Sequence, residues 1–106
     1  MRKRFVLAAI CALPSAAHAD SESSVKSAYA LCETLDRTGM TSAPCEVSGW
    51  GSRVTTVIDM QTTEAQKTCR NVASIMRDRG FSFDQGWTLQ IKSPYSGDNS
   101  IAFCKL

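Results

Sequence analysis

Four of the five cysteines in this short chain constrain its fold more than any other feature. Cys32, Cys45, Cys69 and Cys104 all lie downstream of a stretch with the marks of an export leader, so an oxidising compartment is expected for them. Arg2, Lys3 and Arg4 make a basic start, residues 5–13 form an apolar run broken by Cys11, and Pro14 leads into Ala17-His18-Ala19, a small-x-small cleavage signature. Cleavage after Ala19 leaves Asp20 as the first mature residue. The leader (1–19) is too short to anchor in a bilayer, and no later stretch approaches the roughly 20 apolar residues of a membrane span. A lipoprotein reading of Cys11 is disfavoured, because bulky Ile10 precedes it where a small residue is required. The expected location is the periplasm or the medium.

Cleavage changes the electrostatics and the available chemistry. Without Arg2, Lys3 and Arg4, nine Lys and Arg face ten Asp and Glu, so the basic character belongs to the leader. A nucleic-acid partner would need a strong cationic excess, which is lacking. His18 is the sole histidine and departs with the leader. The mature chain therefore has no imidazole.

An even cysteine count in 87 mature residues predicts two disulfides, since so small a domain buries little apolar area. Three pairings exist. Cys32 with Cys45 and Cys69 with Cys104 is favoured, the first closing a short helix-to-strand loop and the second tying a helix to the last strand. A metal site is not expected, because there is no Cys-x-x-Cys pair and no histidine. No cofactor is expected either.

The periodicity predicts one domain (20–106). Ser21, Ser23 and Ser24 offer N-caps, and Val25, Ala28, Tyr29, Cys32 and Leu35 recur at helical spacing until Gly39. After a loop at 41–44, Cys45 and Val47 begin a strand, a turn follows at 48–52, and β-branched 53–60 returns as its partner. Thr63 with Gln66 fits a capping box for a second helix, whose apolar stripe is Ala65, Cys69, Val72 and Met76 and whose stop is Gly80. Trp87, Leu89 and Ile91 share one face of a third strand, and a polar turn at 93–99 precedes the fourth at 100–106. The fold class is α+β: two helices and a small antiparallel sheet of about four strands, in the order α-ββ-α-ββ. This order resembles small periplasmic modules such as the lipid-associated BON domain in topology alone; their glycine-valine pattern is absent, and no function follows. In the last strand both faces are apolar, with Ala102, Cys104 and Leu106 on one side and Ile101 and Phe103 on the other. Cover within the fold is expected for Ile101 and Phe103.

Catalysis is not expected. Oxidised thiols and a missing imidazole remove Ser-His-Asp and Cys-His arrangements, leaving a Ser-Lys arrangement or a carboxylate pair drawn from scattered acids such as Glu46, Asp59, Glu64 and Asp98. Three features suit binding. Trp50 stands between two glycines at a turn, where an indole either anchors a partner or folds back over the core edge. Tyr95, Asp98 and Asn99 in the final turn suit a polar ligand, or else serve the turn's own hydrogen bonds. Lys67, Arg70 and Arg77 form a basic stripe that meets an anionic surface or is simply solvated. The expected function is a non-catalytic interaction module, an accessory subunit of an envelope assembly or an inhibitor of an exported enzyme. The alternative is a small-ligand or envelope-surface binder of anionic lipid or glycan.

Overall fold

In the computed structural model, residues 21–106 are described; the expected leader and its expected cleavage site lie outside them. The chain runs α1 (Ser21–Arg37), β1 (Thr41–Ser48), β2 (Arg53–Ile58), α2 (Thr62–Asp78), β3 (Thr88–Lys92) and β4 (Ser100–Lys105). The four strands form one sheet in the order β1-β2-β3-β4. Both predicted hairpins are present, and β1–β2 and β3–β4 are antiparallel. The joint between them differs from the all-antiparallel expectation, because β2 and β3 run parallel from Arg53 opposite Thr88 to Val57 opposite Lys92. Its cause is α2, which carries the chain back to the starting end of β2 before β3 begins, as a βαβ crossover must. The sheet is therefore mixed.

One apolar cluster holds both helices to a single face of the sheet. It joins Ala28, Leu31 and Leu35 of α1 to Ala65, Cys69 and Met76 of α2 over Val54, Ile58, Leu89, Ile91 and Ala102. Alternation along β2 and β3 sets the faces: Val54, Thr56, Ile58, Leu89 and Ile91 are buried, while Arg53, Thr55, Gln90 and Lys92 look the other way. Both disulfides pair as expected, Cys32 with Cys45 and Cys69 with Cys104. Each ties a helix to one of the two edge strands of the sheet.

Local chemistry follows the sequence in some places and departs from it in others. Gly80 ends α2 with φ +87°, its N–H donating to the Arg77 carbonyl and that of Phe81 to Met76, a Schellman closure. The capping box does not form: α2 begins at Thr62 behind Gln61, whose side chain makes no cap, and Gln66 reaches instead to the Phe103 carbonyl at 3.0 Å. Ser24 lies inside α1 rather than at its cap, and its buried hydroxyl accepts the Asp84 N–H at 2.7 Å. Tyr29, assigned to the apolar stripe, is 61% exposed, since Ala28 and Leu31 already fill the contact with the sheet.

β1 begins at Thr41 and absorbs the expected loop, with two register irregularities around Pro44 that suit an edge strand. Asp36 closes the α1–β1 connection by accepting the Cys45 N–H and the Thr41 hydroxyl. In β4 a register shift between Ile91 and Lys92 leaves Ile101 as an extra residue, which turns it toward the core. Phe103 stays 63% exposed, against the expected cover.

One buried group is at odds with its surroundings. The Thr56 hydroxyl lies in the core without a hydrogen-bond partner. Thr56→Val should raise stability by about 1 kcal/mol, because an unsatisfied hydroxyl leaves the interior while β-branching is kept. Urea denaturation measures this; a comparable loss of stability would mean the hydroxyl is paired.

Candidate functional site

The β1–β2 turn is a braced platform for one aromatic ring. Ser48 pairs with Arg53 at the end of the ladder, and the Ser48 hydroxyl accepts the Gly51 N–H at 2.9 Å. Ser52 takes φ +53°, a left-handed conformation, and its carbonyl accepts the Thr88 N–H at 3.0 Å. The turn is thereby fastened to β3. A Cβ at Gly51 would come within 2.7 Å of the Arg53 guanidinium and 3.0 Å of the Ser48 hydroxyl, so a side chain there would disturb both. Between these fixed points Trp50 points outward, 103% exposed. Of its two readings, folding back over the core is not the one adopted.

The final turn uses different residues from those anticipated. Ser96 and Ser93 build it: the Ser96 hydroxyl donates to the Asn99 carbonyl at 2.7 Å and accepts the Ser93 N–H, and the Ser93 hydroxyl accepts the Tyr95 N–H. Tyr95, Asp98 and Asn99 are left exposed, with Asp98 4.0 Å from the Lys92 ammonium. This turn joins β3 to β4 at the far end of the sheet from Trp50. The two candidate loops do not form one surface.

The uncovered sheet face carries an open polar shelf of about 470 Å³, with Glu46, Arg53, Thr55, Gln90, Lys92 and Asp98 on its walls. Of the carboxylates weighed for hydrolysis, it gathers Glu46 and Asp98, while Asp59 and Glu64 lie elsewhere on the exposed surface. Glu46 and Asp59 thus do not converge.

The basic stripe divides. Gln66, Arg70, Ala73 and Arg77 occupy one line of α2, at spacings of four, three and four, and face β4. With the edge of β4 at Phe103, Cys104 and Lys105 they line a shallow recess of about 390 Å³, and Lys67 is not among its lining residues. Phe103 and Lys105, the partners of Gln90 and Thr88, carry their side chains on the helix-free face of the sheet. Phe103 was flagged by the two-sided apolarity of its strand, and Gln66 was visible only as a supposed cap. Nothing in the sequence marked Lys105. Ser48, Arg53, Thr88 and Lys105 are successive partners in one row across the sheet. At about 4.8 Å per strand the Trp50 turn and Lys105 therefore share one end of the domain, about 14 Å apart.

Comparison with protein-family models, with curated proteins and with solved structures gives no match.

Proposed function

We propose that this chain is a small exported, non-catalytic interaction module that docks on another envelope or exported protein, as an accessory subunit of an assembly or as an inhibitor of an exported enzyme. The observation that carries the reading is the full exposure of Trp50 on a braced hairpin turn. A tryptophan held out by a turn with few remaining degrees of freedom loses little entropy when a partner covers it, and such residues dominate measured binding energies. The two disulfides are compatible with export to the periplasm or medium, with cleavage near Ala19.

Attachment to an anionic lipid or glycan through Lys67, Arg70 and Arg77 together with the Tyr95 turn is less well supported. That surface would have to run from one end of the sheet to the other, and Lys67 lies outside the recess that Arg70 and Arg77 line.

Trp50→Ala is the test. The variant should melt within about 2 °C of the parent, because the ring contributes nothing to the core. Quantitative mass spectrometry of proteins retained from an envelope fraction by the tagged mature chain should show a partner depleted at least about thirtyfold by the substitution, the scale of a loss of 2 kcal/mol. An unchanged retained set would remove Trp50 as the anchor.

A further inference from the structure

We propose that the face of the sheet left free by the helices binds a neutral glycan chain, laid along the row Glu46, Thr55, Gln90 and Phe103. This surface is separate from the Trp50 turn, and the proposal does not rest on the docking role given to that residue.

The ladder registers assemble the row. Glu46 pairs with Thr55, Thr55 with Gln90 and Gln90 with Phe103, so one side chain from each strand stands on the helix-free face. At about 4.8 Å per strand the row is about 14 Å long, room for several linked sugar rings rather than one. Arg53 lies one step toward the Trp50 turn and Lys92 one step toward the opposite turn. The polar shelf of about 470 Å³ takes in Glu46, Thr55 and Gln90 with these two cations. Phe103 is next in the row at the β4 edge, 63% exposed.

Charge and polarity on the shelf suit an uncharged polyhydroxyl ligand. Arg53 and Lys92 are balanced by Glu46 and Asp98, so an anionic polymer would meet carboxylates as well as cations. Val47, the one apolar residue on its walls, turns its side chain to the core, which leaves no apolar anchor for a protein interface within the shelf. A sugar hydroxyl both donates and accepts, and can pair with a carboxylate, a guanidinium or an amide alike. The flat C–H face of a pyranose ring suits an exposed aromatic ring such as Phe103.

The hydrogen-bonding groups are available and partly oriented beforehand. The ion pairs among the described residues are Arg37 with Glu33 and Lys92 with Asp98, so Glu46 and Arg53 are in neither. The Gln90 carbonyl oxygen accepts the Ser100 hydroxyl at 2.7 Å, which holds the amide and leaves its N–H groups for a ligand. Thr55 and Gln90 sit on the two inner strands, the most constrained part of the sheet. Because the shelf touches a chain from one side only, millimolar affinity is expected.

The test is an amide-shift titration of the oxidised mature protein with cellotetraose and with chitotetraose, against glucose and N-acetylglucosamine. Saturable shifts centred on Glu46, Thr55, Gln90 and Phe103 are expected with at least one tetrasaccharide, and binding at least about tenfold weaker with the monosaccharides. Raising salt from about 0.05 to 0.5 M should leave the affinity unchanged, since the ligand carries no charge to screen. Thr55→Val with Gln90→Ala should weaken binding at least about fivefold, and Phe103→Ala several-fold. Should the double variant misfold, Glu46→Ala alone must still weaken binding.

Shifts elsewhere or none with both tetrasaccharides, equal binding of the monosaccharides, or undiminished binding by the folded variants would each overturn the proposal. So would tighter, salt-sensitive binding of tetragalacturonate at the same residues, an outcome that assigns the face to anionic polymers. Trp50→Ala should leave the sugar shifts intact. Failure here therefore leaves the Trp50 anchor standing, and loss of the Trp50 partner leaves the glycan face standing.

Discussion

Replacing Cys69 and Cys104 together by alanine should lower the melting temperature by about 15 to 30 °C. The cross-link spans 35 residues, and loop closure of that length restricts the unfolded chain by about 4 kcal/mol. A domain of this size shifts by about 4 to 8 °C per kcal/mol, and 4 kcal/mol is a large part of its total stability. The Cys32–Cys45 link spans 13 residues and should contribute about 3 kcal/mol, so its removal is the milder lesion. Thermal unfolding of both double variants by circular dichroism gives the order directly. A shift below about 5 °C for the longer loop, or the reverse ranking, would show that restriction of the unfolded chain is not what these links supply.

Leu89→Ala should cost about 3 to 5 kcal/mol, the upper part of the range for buried leucines. Leu89 is fully buried on inner strand β3, opposite Val54 of β2 and Cys104 of β4. Its carbonyl oxygen lies 3.3 Å from the Cys69 sulfur, so the wall on that side is covalently fixed. A cavity beside a fixed wall relaxes poorly and stays open. Gln90→Ala, one residue on, faces the uncovered side, loses only the hydrogen bond it accepts from the Ser100 hydroxyl, and should cost about 1 kcal/mol. Urea denaturation of the two variants measures the contrast; a cost below about 1 kcal/mol for Leu89→Ala would place that side chain outside the core.

The helices, both hairpins and both disulfides were legible because each is written in local spacing. Cys32 sits on the apolar stripe of α1 and Cys45 opens the next apolar pattern, so their pairing follows from a short connection. The parallel joint between β2 and β3 was not legible. Alternation fixes which side of a strand is buried, and it carries no information on how two hairpins meet. The single extra residue that rotates Ile101 inward is similarly invisible to a period of two, which is why Ile101 and Phe103 were grouped although they part company.

Within the candidate site, Trp50 was legible from its flanking glycines, while its direction was settled by the bonds from Ser48 and Ser52. The recess was half legible. Arg70 and Arg77 could be placed on one helical face, but their joining with Phe103 and Lys105 depends on α2 lying along β4, a contact between segments about thirty residues apart in sequence. Gln66 illustrates the same limit. Its spacing from Thr63 suits a local cap, yet a carbonyl on the sheet edge captures it.

Because each disulfide lies wholly on one side of the β2–α2 connection, the molecule is two covalently closed lobes joined by a single strand of peptide. Pulling the oxidised chain from its ends cannot lengthen the segments 32–45 and 69–104, and the slack must come mainly from 46–68, which holds β2 and the start of α2. The ladders that β2 makes with its two neighbours are therefore what yields under tension, and Trp50 lies in the stretch that pays out while Phe103 stays inside a closed loop.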